Sequence, residues 1–138
     1  MSRLVLLDNE AVRALSSARH PKHRKVISHL QVITTRRKRS RSTTVGVPTS
    51  VRVEAGWDRR NQAWALANRL GITDMALDQT VADVAAEIRN GLGTHISVAD
   101  AHLGAVAQGV DSEVTVITND PEDITAAAGS ARATIVRI

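Results

Sequence analysis

Leu4-Val5-Leu6-Leu7-Asp8 is an unbroken apolar run that stops at a carboxylate, and Val114-Thr115-Val116-Ile117-Thr118-Asn119-Asp120 repeats the pattern late in the chain. A short continuous apolar segment bounded by polar residues fits a central strand covered on both faces, the kind found in parallel sheets. Two such strands in one parallel sheet finish at the same edge. Asp8 and Asp120 are therefore expected near each other, although most of the chain separates them.

Working outward, the β-branched stretch at 43–47 reads as a second strand, 72–77 as a third and 134–138 as the last. Helices are expected between them. Asn9 is the expected cap of a first helix reaching about Ser17, and His20-Pro21 opens a second, with Val26, Ile27, Leu30 and Ile33 at helical spacing. The like-charge run at 36–41 is expected to fray that helix. Further helices fit the segment after Pro48-Thr49-Ser50, 61–70 ended by Gly71, and 79–90, with Val81, Val84, Ala85 and Ile88 inward and Gly91-Leu92-Gly93 as the break. Ser97 caps another, and Pro121 to Gly129 bounds the last. Strands alternating with helices imply a parallel α/β sheet with right-handed crossovers. In such folds sites lie at the carboxyl ends of the strands.

The length of 138 residues suits one domain, expected to span 1–138, with no internal repeat or linker. Phe and Tyr are absent and Trp occurs twice, so a 43% apolar chain must build its core from Ala, Val, Leu and Ile. The same scarcity argues against aromatic platforms for stacking bases. Absence of cysteine excludes disulfides, thiolate metal sites and cysteine nucleophiles. The opening apolar run is too short for a signal peptide or a membrane span, so a cytoplasmic protein with no membrane partner is expected. A net charge of +4 conceals an asymmetry: residues 1–60 hold 14 Lys/Arg against four Asp/Glu, and 61–138 hold four against ten. A basic half suits a polyanionic or acidic partner, and a solvated charged face is the blander alternative.

Glu54 and Asp100 are each expected about one turn inside a helix that starts near the edge bearing Asp8 and Asp120. Four converging carboxylates repel unless cations neutralise them, and hard oxygen ligands suit Mg²⁺ or Mn²⁺. Such a centre lowers the pKa of a bound water and clamps a phosphodiester for in-line attack. Each residue also has a plainer reading. Asp8 can cap the first helix, Glu54 can pair with Arg52 or Arg59, and Asp120 can cap the Pro121 helix jointly with Glu122 and Asp123. Asp100 stands among Val98, Ala99 and Ala101, where a lone charge needs a partner.

Leu4-Val5-Leu6-Leu7-Asp8, Val47-Pro48-Thr49-Ser50-Val51-Arg52-Val53-Glu54, Ile96-Ser97-Val98-Ala99-Asp100-Ala101 and Val116-Ile117-Thr118-Asn119-Asp120 resemble, in order, the motifs of PIN domains. The resemblance runs across nearly the whole chain. It implies a PIN-like three-layer α/β/α sandwich with a central, mainly parallel sheet. It also implies a hydrolase: an Mg²⁺- or Mn²⁺-dependent endoribonuclease with Asp8, Glu54, Asp100 and Asp120 as catalytic, metal-binding carboxylates. Asp8 and Asp100 would be core ligands, Asp120 would bind directly or through water, and Glu54 would hold a ligand water or a second ion. Thr118 matches a hydroxyl that orients a carboxylate or phosphate, with a backbone-bonded strand end as its plainer role. Asn9 departs from the Thr or Ser usual after the first Asp, which implies tuning of the site. Chains of this size resemble VapC toxins, which inhibit translation, are held inactive by a VapB antitoxin and often form homodimers.

His95 and His102 flank Asp100, and both are read as surface or packing residues. In the basic run, Arg36, Arg37, Lys38, Arg39 and Arg41 are candidate contacts for RNA or a partner. A haloacid-dehalogenase-like phosphatase would need an Asp two residues after Asp8, where Glu10 stands, and a late lysine, which no position after Lys38 supplies. The other competing reading is a catalytically inactive PIN-like module that binds RNA or an antitoxin.

Overall fold

The computed structural model describes residues 2–39 and 42–138, and at 34 and 36–39 the backbone alone. Its five strands are β1 (Arg3–Leu7), β2 (Thr43–Pro48), β3 (Thr73–Met75), β4 (Glu113–Thr118) and β5 (Ala133–Arg137). They form one sheet in the order β3-β2-β1-β4-β5. Every pairing is parallel, with Leu4 beside Thr44 on one side and Val114 on the other. The chain builds outward from β1 through β2 to β3, then crosses over to add β4 and β5 on the far side. That reversal opens a crevice beyond the carboxyl ends of β1 and β4, where sites form in open parallel sheets.

The period-two alternation of a strand sends Val5 and Leu7 to one face and Leu4 and Leu6 to the other. The first face is covered by α1 (Asn9–Ser16), α2 (His23–Arg39), α3 (Thr49–Ala55) and, after a 3₁₀ turn at Gln62–Trp64, α4 (Ala65–Arg69). The second is covered by α6 (Val98–Gly109) and α7 (Pro121–Ala128), with α5 (Gln79–Leu92) packed against α6. This is the three-layer α/β/α sandwich expected, its sheet wholly parallel. All four apolar residues of the opening run are buried, because neighbouring strands and both helical layers enclose β1.

Local chemistry sets the helix limits, and two limits differ from expectation. Asp8, not Asn9, caps α1, its Oδ1 accepting the Ala11 N–H at 2.9 Å. The described part of α2 stops at Arg39, inside the charged run where the helix is expected to fray, and buried Val26 and Leu30 anchor its body. α5 passes through Gly91 and stops after Leu92, since Gly93 is where the backbone turns to φ +108°.

Gly104 decides how closely the helices of the second layer approach. A Cβ there would fall 2.4 Å from the Ala127 carbonyl oxygen, so α6 and α7 touch backbone to side-chain-less backbone. No helix among the described residues is long and apolar enough to cross a membrane.

Candidate metal centre

Asp8 and Asp120 each close a strand and open a helix, and Thr118 ties them together. Asp8 is 4% exposed. Its Oδ2 accepts the Thr118 hydroxyl at 2.5 Å and the Asn119 N–H at 3.3 Å. The same Thr118 oxygen accepts the Asp120 N–H at 2.8 Å. Thr118, fully buried, thus orients the Asp8 carboxylate and also takes the backbone bond of its plainer reading.

Among the described residues, Asp100, Asp120 and Asp123 form an acidic group, from each of which one carboxylate oxygen lies within 4.8 Å of the others. Ser97 caps α6 and accepts the Asp100 N–H at 3.0 Å, and Asp120 caps α7 and accepts the Asp123 N–H at 3.4 Å. Asp100 and Asp123 therefore hold the same place in their helices, three residues past the cap. Asp123 was read from sequence only as a helper in capping; the spacing Asp120-x-x-Asp123, parallel to Ser97-x-x-Asp100, is the signal that marks it as more.

Asp8 stands outside that trio but close enough to act on it. Burial pushes the Asp100 carboxyl up to about 6, with repulsion from Asp8 and Asp120 adding to the effect and the Ser97 hydrogen bond opposing it. Burial likewise raises Asp8, against hydrogen bonds from Thr118, Ala11 and Asn119. Asp123 is raised by its side-chain hydrogen bond to Asp120, then by partial burial, with nearby His95 acting the other way. Among the described residues no ion pair reaches Asp8, Asp100, Asp120 or Asp123.

Glu54 is placed differently from expectation. It lies in the last turn of the seven-residue α3, exposed and apart from the trio. Its Oε1 accepts the Asn9 side-chain amide at 2.9 Å. Arg52 and Arg59, weighed as its partners, instead both bind Asp74, at 2.8 and 2.9 Å. They also flank Trp57, whose ring stacks on Trp64.

His102 is fully buried, with Nδ1 2.7 Å from Ser50 Oγ, and burial lowers its pKa against the neighbouring carbonyls of Met75 and Ala76. It packs and does not face the carboxylates as a base. His95 is exposed. Of the expected contacts in the basic run, Arg41 and the side chains of Arg36, Arg37, Lys38 and Arg39 lie outside the described residues. The backbone of α2 ends three residues before Ser42, whose carbonyl accepts the Arg3 N–H at the sheet edge opposite Asp8.

The donor set suits a hard divalent cation. Three carboxylate oxygens within 4.8 Å match the spread of ligands around an ion that takes oxygens at roughly 2.0–2.6 Å.

The chain is similar to three solved structures over nearly its full length. A chain of the VapBC2 structure from Rickettsia felis, bound to a promoter DNA fragment, matches with TM-score 0.62 at 11% identity, covering 97% of this chain and 98% of that one. A toxin–antitoxin complex from Klebsiella pneumoniae matches with TM-score 0.64 at 19% identity, covering 97% and 99%. FitAcB from Neisseria gonorrhoeae matches with TM-score 0.59 at 18% identity, covering 96% of each. The fold is PIN-like and is shared with these three structures. No known family profile and no curated protein matches the sequence. The likeness therefore lives in the path of the backbone, and the residues of the site must argue the chemistry by themselves.

Proposed function

We propose that this chain is a divalent-metal-dependent endoribonuclease, a single PIN-like domain over 1–138 that acts in the cytoplasm as the toxin of a VapBC-like pair. The observation that carries the proposal is the gathering of Asp100, Asp120 and Asp123 within 4.8 Å of one another, close enough to the buried Asp8 for its charge to act on Asp100, without a cationic side chain paired to any of them among the described residues. Carboxylates kept so close repel unless a proton or a cation neutralises them, and a cluster of hard oxygen donors suits a divalent cation.

Asp100, Asp120 and Asp123 would hold Mg²⁺ or Mn²⁺ directly, with Asp8 beneath them and Glu54 at the rim reaching through water or a second ion. A cation bound there supplies a water of lowered pKa and charge neutralisation for the phosphodiester. The chain's own residues supply the rest. Thr118 fixes the Asp8 carboxylate, and the capped amino ends of α1, α6 and α7 set the other acids around the crevice. The sequence-wide excess of Lys and Arg before residue 60 favours the approach of RNA. Cutting RNA would inhibit translation, and a VapB-like antitoxin would restrain the enzyme, itself a homodimer.

An RNA cleavage assay in Mg²⁺ or Mn²⁺, with EDTA and Asp100→Asn as controls, tests the reading. Cleavage should vanish in both controls. Persistence in both ends the proposed mechanism.

A further inference from the structure

Asn9 sits directly after Asp8 and faces Glu54 across the gap between α1 and α3. Its Nδ2 donates to Glu54 Oε1 at 2.9 Å, while its Oδ1 accepts the Nε–H of Arg13, one helical turn on, at 3.0 Å. Arg13 also reaches α3, its Nη2 donating to the Glu54 backbone carbonyl at 3.4 Å. Three bonds thus connect three residues on two helices.

A side-chain amide has two ends of nearly the same shape, so its direction is set by what each end meets. A guanidinium has donors and no acceptor. Arg13 therefore admits only the oxygen of Asn9, which turns the NH₂ group toward Glu54. Rotation of the amide by half a turn would oppose oxygen to carboxylate and NH₂ to guanidinium, losing both bonds. Arg13 leaves the Glu54 carboxylate alone and binds its backbone instead, and among the described residues Oε2 accepts no hydrogen bond. The carboxylate is steered through one oxygen while the other is left without a hydrogen bond from the described residues.

We propose that Arg13 is a positioning residue for Glu54, acting through the side-chain amide of Asn9. The inference rests on reading Glu54 as part of the metal-dependent site. Arg13 is exposed, so water competes for these bonds and their weight in global stability is small. Their effect is on direction. Residues that orient a ligand from behind typically change metal affinity or turnover by about tenfold or more when removed.

The test compares Arg13→Met, which keeps length without a donor, with Arg13→Gln, which loses the charge but keeps an N–H for Asn9. The side-chain amide signal of Asn9, followed by NMR, should stay at a fixed hydrogen-bonded position in wild type and Arg13→Gln and move to an averaged position in Arg13→Met. RNA turnover should fall about tenfold in Arg13→Met with KM changed less than about twofold, and Arg13→Gln should recover most of it. In an Asn9→Ala background, Arg13→Met should add less than about a twofold loss, because the relay is already cut. An unmoved Asn9 signal in Arg13→Met, or full additivity with Asn9→Ala, overturns the inference. Wild-type protein inert toward RNA, together with the expected Asn9 shift, overturns the nuclease reading and leaves the relay standing.

Discussion

Two carboxylate-bearing regions lie at the same edge of this sheet and are built on opposite principles. Within β3, Asp74 is gripped by Arg52 and Arg59, whose guanidinium groups also lie 5.6 and 4.4 Å from the Trp57 ring centroid. Trp57 in turn donates to Asn68, which donates to the Arg59 carbonyl. There one acid is matched by two cations, and every neighbour is spoken for. Beyond β1 and β4, the acids meet each other and no described cation pairs with them. The first arrangement lowers energy within the folded chain; the second is favourable only when something of opposite charge arrives from outside. Position on a sheet edge makes both possible, and the local supply of arginine separates a strut from a site.

Substitutions should expose that contrast, beginning with activity. Asp100→Asn should cut RNA cleavage by at least about 100-fold, since an amide cannot replace a charged ligand. Asp74→Asn should leave the turnover within about threefold of wild type. Similar losses in both variants, measured by single-turnover kinetics, would erase the distinction.

Cation addition gives the next effect in size. Saturating Mn²⁺, at about 100 times its dissociation constant, should raise wild-type stability by about 2.7 kcal/mol in calorimetric melts. The gain should survive Asp74→Asn and shrink in Asp123→Asn. An undiminished gain in Asp123→Asn would remove Asp123 from the ligand set.

Without metal, the two regions should respond with opposite signs. Asp74→Ala strands two partly exposed guanidinium groups and should destabilise the chain by about 1–2 kcal/mol in urea titrations. Asp100→Asn relieves repulsion and should stabilise metal-free protein near neutral pH by about 1 kcal/mol. Matching signs would contradict the electrostatic account.

The pH dependence is the subtlest check. Asp100 holds its proton up to about 6 when folded, against 3.8 for an unperturbed side chain. Between those values the folded chain binds a proton that the unfolded chain has released, so this group favours folding more as the pH falls through the window. Wild-type stability relative to Asp100→Asn should therefore rise from pH 6 toward pH 4. A flat difference would show that Asp100 titrates normally.

Much of the fold was legible because its strongest signals are local. The two apolar runs, the cap at Ser97, the helix start at Pro121 and the stop at Gly129 require no tertiary knowledge. Asp8, Asp100 and Asp120 were legible as edge residues for the same reason, since a strand end or a helix cap fixes their direction. Asn9 is the expected cap of α1 because sequence alone does not say which of two adjacent residues leaves the strand; the Ala11 N–H bond to Asp8 decides it. Nor could sequence say that Arg52 and Arg59 would choose Asp74 over Glu54. That choice depends on β3 pairing beside β2, a contact distant along the chain.

The bare methylene of Gly104 reaches further than its own neighbourhood. Asp100 rides on the helix that contains it, and Asp120 and Asp123 ride on the helix that Gly104 lets in. A methyl group at 104 would wedge those two cylinders apart and widen the mouth between their leading ends. The aperture in which the acids meet is thus gauged by a hydrogen atom about one helical turn along α6 from Asp100.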